Sequence, residues 1–176
     1  MILLLVRHLE TEMNALDLLQ GRSDYAIDSG LVRPELVAAN RTLISRCPPQ
    51  AVYSSPLQRA RATAILYGFP DHLVDERLLE FDFGQYEGRT RLDMLRDCGD
   101  VWIKRFSQTT FGEGYEALSS RVDSFIHEIE SLHDVVLIFG HGVVIRYLIS
   151  KYLLANPDLT NQMRIKNNQL CIILTR

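Results

Sequence analysis

An arginine and a histidine stand side by side at positions 7 and 8, directly behind the aliphatic run ILLLV at 2–6. A charge set at the end of a buried strand costs desolvation unless something there uses it, and an anion would. Three further features are of the same kind. The corner SSPLQR at 54–59 ends on Arg59, the triplet GHG at 140–142 puts His141 at a strand-to-helix turn, and Glu80 lies in an irregular stretch rich in acidic and aromatic residues. Free backbone N–H groups and the helix dipole favour an anion beside His141. Arg59 falls in the first turn of its own helix, where a positive charge is mildly unfavourable unless a bound dianion neutralises it. Two arginines and two histidines meeting at one strand-end crevice make a phosphate cradle, and the planar fork of arginine holds two oxygens at once.

These residues act together only if the strand ends come together. Four apolar runs read as strands: 2–6, 51–55, 135–140 and 170–175. Their lack of alternation predicts burial on both faces of a mostly parallel sheet. Helical spacing lies between them. Residues 33–47 place Leu36, Val37, Leu43 and Ile44 on one stripe behind Pro34. The segment 55–68 reads as a helix with Ser55 as N-cap, Pro56 at its first position and Gly68 after its end. Residues 115–133 repeat Leu118, Val122, Phe125, Ile126 and Ile129, and 143–155 is apolar almost all round, which predicts deep packing. Alternation of this kind predicts an α/β fold, a three-layer α/β/α sandwich whose ligands bind beyond the carboxyl ends of the strands. The stretch from 70 to 113 carries shorter signals and is expected to be a substrate-contacting subregion within a single domain spanning 1–176.

Bulk properties narrow the choice of partner. With 47% hydrophobic and 23% charged residues in 176, the chain reads as a soluble globular domain. A formal net charge of −3 supplies no general field for nucleic acid or an anionic membrane, so an anion must be caught locally. Cys47, Cys98 and Cys171 are odd in number and widely spaced, which fits reduced thiols better than a disulfide framework or a metal pair. The first apolar run lacks a basic leader and a small-residue cleavage site, so it reads as a strand and not a signal peptide. A cytoplasmic protein acting on a small metabolite is expected, with no nucleic acid or membrane partner, and an exposed sheet edge leaves room for a homodimer.

The motifs carry a resemblance. LVRHLETEMN resembles the RHGxTxxN signature of the histidine phosphatase superfamily, also called phosphoglycerate mutase-like. SSPLQRARATA is similar to its SSPLxRAxxTA segment, LLEFDFGQYEGR to its LxExDFGxWEG segment, and IFGHGVVIR to its VxHGGVIR segment, with weaker likenesses in LQGRSD and GEGYEALSSRV. The resemblance implies a phosphoglycerate mutase-like fold and hydrolysis of a small phosphomonoester through phosphohistidine, without metal or cofactor. It implies His8 as nucleophile and Glu80 as proton donor. Arg7, Arg59 and His141 are implied to hold the phosphoryl oxygens with Asn14, and Gln20, Gly21 and Gly142 complete the substrate-binding set. Within the family the segments most resemble the alpha-ribazole-5'-phosphate phosphatases of cobalamin nucleotide-loop assembly, features shared with broad-specificity sugar phosphatases.

Some positions stay open. Leu9 stands where the pattern has glycine, which is expected to narrow the pocket or shift His8; a phosphate-binding pseudoenzyme is the alternative. Asp82 and Glu87 are rivals of Glu80 for the acid role. Arg61 points away from Arg59, and His72, His127 and His133 carry no motif and are expected at the surface. Trp102 and its aromatic neighbours are either core or the wall of a leaving-group pocket.

Overall fold

The computed structural model describes residues 1–175. Its strands are β1 (Ile2–Arg7), β2 (Ala51–Ser54), β3 (Leu73–Val74), β4 (Val135–Gly140) and β5 (Leu170–Leu174), joined in one sheet of order β3-β2-β4-β1-β5. The first four run parallel and β5 runs antiparallel along β1. The α-helices are α1 (Glu12–Ala15), α2 (Pro34–Ser45), α3 (Gln58–Leu66), α4 (Arg91–Cys98), α5 (Val101–Lys104), α6 (Tyr115–Glu130) and α7 (Gly142–Ile149). Strand alternation explains why the first run is apolar throughout. Leu3 and Leu5 face a core shared with α6 and α7, while Leu4 and Val6 face the opposite one, closed by Val37 and Ile44 of α2 and Ala64 of α3. The result is the expected α/β/α sandwich.

The apolar spacing of α6 is borne out, since Leu118, Val122, Phe125, Ile126 and Ile129 are all buried. Elsewhere tertiary context overrides local pattern. Leu36 and Leu43 of α2 are 44% and 47% exposed, so only Val37 and Ile44 of the expected stripe reach the core. Ile172 and Leu174 of β5 are exposed because β5 is an edge strand with one open face, not a strand buried on both sides. The segment 143–155 is not one helix: α7 gives way to a π-turn over Ser150–Leu154 that ends on Ala155 in the left-handed region, φ 49°, and leaves Leu153 and Leu154 exposed. The two-residue strand β3 carries no legible pattern of its own.

Helix α3 begins at Gln58, with Leu57 and not Ser55 in the capping position. Its first turn is instead capped at long range: Asp24 Oδ1 accepts from the Gln58 N–H at 2.8 Å. At its other end Gly68, φ 88°, closes a Schellman turn, with Gly68 N–H donating to Ile65 and Phe69 N–H to Ala64.

Strand register positions everything that follows. Arg7 pairs with Gly140 across β1 and β4, and Ser54 pairs with Phe139 across β2 and β4. The ladder extends one residue further, through His8 N–H to the Gly140 carbonyl and Ser55 N–H to that of Phe139. The chain therefore leaves three adjacent strands at one level, on one side of the sheet. Removing the remote cap should loosen the helix that carries Arg59: Asp24→Ala is expected to cost about 1 kcal/mol, read as a lower urea midpoint with unchanged slope. An unchanged midpoint would show that Asp24 does not cap α3 in solution.

Candidate active site

His8 and His141 sit on neighbouring strand ends with ring centroids 5.3 Å apart. Both are buried. His8 Nδ1–H donates to the Leu9 carbonyl at 2.7 Å, an acceptor that fixes the tautomer and leaves the Nε2 lone pair for chemistry. His141 is the N-cap residue of α7, and neither of its ring nitrogens has a partner among the described residues. Burial pushes both imidazoles well below the usual histidine range. Arg7 and Arg59 push His8 further, and Arg59, His8 and Arg7 do the same to His141.

Arg59 is 1% exposed. Its Nη1 donates to the Ser23 carbonyl and its Nη2 to that of Gly21, each at 2.7 Å, leaving Nε unpaired. The turn it grips is built for this. Gly21 has φ 52°, and a Cβ there would lie 2.0 Å from Glu87 Oε1, so a side chain would be strained and would displace the Glu87 carboxylate. Glu87 in turn accepts from the N–H groups of Arg22 and Ser23 at 2.8 and 2.9 Å. Arg7 donates through Nη1 to the Ile165 carbonyl at 2.6 Å and also keeps an unpaired Nε.

Glu80 is buried at the start of α7. Its Oε2 accepts at 3.1 Å from Val143 N–H, a donor that the start of α7 leaves free, and its Oε1 accepts at 3.0 Å from Phe81 N–H in its own loop. The loop carrying it is tied down by Arg121, which donates to the carbonyls of Arg77 and Leu79, each at 2.7 Å, and to Glu113 Oε1 at 2.7 Å. The rivals are engaged elsewhere: Glu87 in the turn just described, and Asp82 with Gly84 N–H at 2.8 Å.

His8, Arg7, Arg59 and Glu80 line one cavity of about 400 Å³ together with Asn14, Gln20, Gly21 and Gly142. His141 lies behind it, against His8. Asn14 spends its Oδ1 on Thr11 and on Asn167 Nδ2, which leaves its amide N–H donors, and Gln20 accepts from Thr11 Oγ1 at 3.1 Å. Gly142 stands between two guanidinium groups: a Cβ there would lie 3.1 Å from Arg146 Nη1 and 3.5 Å from Arg7 Nε. Trp102 is both core and wall, packing on Phe81, Phe83 and Phe106 while lining the cavity. Arg61 and His127 are exposed, His72 and His133 are partly exposed at the surface, and none of these lines the cavity.

Leu9 corrects the expectation attached to it. Its side chain is 2% exposed in the core with Val37, Tyr67 and Phe139, its φ is not positive, and it is absent from the cavity wall. The residue at this position therefore neither narrows the site nor strains His8. Its N–H is taken by Thr63 Oγ1 at 2.9 Å, and Asn167 Nδ2 donates to the His8 carbonyl at 3.1 Å. Sequence reasoning missed Arg146, Asn161 and Asn167, all cavity-lining. Arg146 falls inside the quoted IFGHGVVIR segment, four residues beyond Gly142 and so on the same helix face, which was the one signal that could have found it. Among the described residues no cluster of three or more His, Cys, Asp or Glu side chains could hold a metal ion, and no helix is long and apolar enough to cross a membrane.

Known proteins are similar to this chain in sequence and in fold. The chain is 33% identical over 165 residues to the adenosylcobalamin/alpha-ribazole phosphatase of Salmonella typhimurium, covering 87% of this chain and 80% of that protein. It is 28% identical over 155 residues to phosphoserine phosphatase 1 of Hydrogenobacter thermophilus, covering 82% and 72%. Among solved structures it superposes on the alpha-ribazole phosphatase of Shigella flexneri with a TM-score of 0.80 at 25% identity, covering 100% of this chain and 91% of that one. The profile of the histidine phosphatase superfamily (branch 1) matches residues 3–176. A profile match that runs from β1 through the last strand, over a fold that gathers the two histidines and their arginines at adjacent strand ends, places the chain in the histidine phosphatase superfamily, as a phosphatase.

Proposed function

We propose that the protein hydrolyses a small phosphomonoester by way of a phosphohistidine on His8. The observation that carries this reading is the tautomer lock on His8, a neutral imidazole whose free Nε2 opens into a cavity ringed by unpaired guanidinium N–H groups. Arg7, Arg59 and His141, with the Asn14 amide, hold the phosphoryl oxygens, and Gln20, Gly21 and Gly142 shape the surrounding wall. Charge spreads over those oxygens in phosphoryl transfer, so donors fixed in advance stabilise the transition state. Nε2 attacks phosphorus, the P–O bond to the leaving group breaks, and Glu80 gives its proton to the departing alkoxide. Glu80 then takes a proton from water as that water attacks the P–N bond, which releases phosphate and restores His8. The arginines carry the charge stabilisation that a metal supplies elsewhere.

Residues 70–113 act in this reading as the substrate-contacting part of a single domain, since they bring Glu80, Phe83, Arg91 and Trp102 to the cavity. Alpha-ribazole 5'-phosphate is supported as a substrate by the sequence segments and the Salmonella relative, and sugar phosphates and phosphoserine by the breadth of the family. The reading places the activity in the cytoplasm, on metabolites and not nucleic acid, with any homodimer forming at an exposed sheet edge.

Phosphate release in the presence of EDTA, from alpha-ribazole 5'-phosphate, sugar phosphates and 3-phosphoglycerate, tests the reading. Turnover is expected without metal, and His8→Ala should lower kcat by roughly 1,000-fold or more. Full turnover by His8→Ala would overturn it, and release from none of the panel would favour a phosphate-binding pseudoenzyme.

The neutral histidines also link stability to pH. In the unfolded chain each takes up a proton near its usual pKa of about 6.5, whereas the folded site resists protonation until well below that. The unfolded state therefore binds more protons as pH falls below about 6.5, and stability is lost there and regained above it. Thermal melting should show a Tm that falls from pH 7 to pH 5 and a shallower fall in His8→Asn. Equal slopes in the two proteins would show that His8 is not held neutral.

A further inference from the structure

Arg146 projects from α7, one turn beyond Gly142, into the same cavity, and the mechanism above makes no use of it. Its Nη2 donates to Asn161 Oδ1 at 2.9 Å, and its enclosed Nε has no partner. No carboxylate lies within ion-pair distance of it among the described residues. Burial draws its pKa down to about 10, against the pull of Glu80 and with the push of Arg7 and Arg91. A guanidinium so enclosed, with a neutral amide as its side-chain partner, carries a desolvation cost that the protein itself leaves unmatched.

Its place in the cavity says which part of a substrate it meets. One side of it faces Arg7, across the space that Gly142 leaves open. The other is held by Asn161, whose Nδ2 donates at 3.0 Å to the carbonyl of Trp102, part of the aromatic wall of the same cavity. A phosphoryl group held by Arg7 and Arg59 leaves Arg146 with Asn161 as its side-chain partner and no carboxylate at ion-pair distance among the described residues.

We propose that Arg146, with Arg91 at the rim, binds a carboxylate on the leaving group, so that the substrate is a small phosphate ester of a hydroxy acid. Glu10, between β1 and α1, and Asp17, just after α1, line the cavity and leave an ammonium group on that acid a place of its own. The inference rests on the phosphatase reading given above and narrows its substrate class.

O-phosphoserine and O-phosphoethanolamine differ by the carboxylate alone, which makes them the decisive pair. The wild-type protein should show kcat/KM at least roughly tenfold higher for phosphoserine, the worth of one hydrogen bond to a charged group. Arg146→Gln should erase that ratio, and Arg146→Lys, which keeps the charge without the fork, should restore part of it. Equal kcat/KM on the two esters in the wild-type protein would overturn the inference without recourse to any variant. So would an Arg146→Gln variant that loses both substrates in equal measure, since Arg146 would then serve the phosphoryl group. Hydrolysis of alpha-ribazole 5'-phosphate or p-nitrophenyl phosphate with neither member of the pair turned over would sink the carboxylate assignment and leave the phosphatase reading standing. Silence on all four substrates would instead remove the phosphatase reading itself.

Discussion

The parallel pairing of β1 with β4 is the constraint on which the site depends. With Arg7 opposite Gly140, the residues that follow each strand emerge side by side, and His8 and His141 meet although 133 positions separate them in the chain. A slip of one residue would turn every side chain of β1 to the other face and send Leu4 and Val6 into the wrong core. Both faces of this strand are buried, so the two hydrophobic cores themselves hold the catalytic register. Packing and chemistry are set by the same hydrogen-bond ladder.

What that register assembles is a deliberate imbalance of charge. Arg7, Arg59 and Arg146 are held by backbone carbonyls and one amide, partners that orient a guanidinium without neutralising it. Concentrating positive charge in this way destabilises the fold; burial first, and then these charges, keep the adjacent imidazoles neutral, and a neutral imidazole is what nucleophilic attack requires. The charged pairs that do stabilise lie one layer out, where Arg121 bridges Glu113 and the Glu80 loop, and Arg22 joins Glu113 from the turn that carries Gly21. The supporting layer fixes the arginines and the acid relative to each other while leaving their reactive edges unspent.

Much of this was legible in the sequence where a feature is local. The strands β1 and β4 announced themselves by continuous apolar runs, α6 by its spacing, and the end of α3 by Gly68. Features set by distant contacts were not legible. The start of α3 depends on Asp24, 34 residues upstream, and the open face of β5 depends on its place at the sheet edge. Leu9 read as a threat to the pocket because nothing in RHL tells which way the side chain turns just after β1 ends; the structure turns it into the core with Tyr67. Arg146 looks locally like any helical arginine, and only the closure of α7 over the cavity, with Asn161 brought in from the other side, gives it a role. The family resemblance located the motif residues because it encodes these long-range placements, which composition and periodicity do not.

The central claim is that His8 Nε2 forms a bond to phosphorus. Rapid mixing of the protein with a radiolabelled phosphomonoester, followed by an alkaline quench and peptide mapping, tests it most directly, because a phosphorus–nitrogen bond survives base and is lost in acid. Acid-labile label on the peptide containing His8, absent from His8→Ala, is the predicted result. Phosphate release at full rate with no label on His8 at any time point would contradict the account and point to direct attack by water.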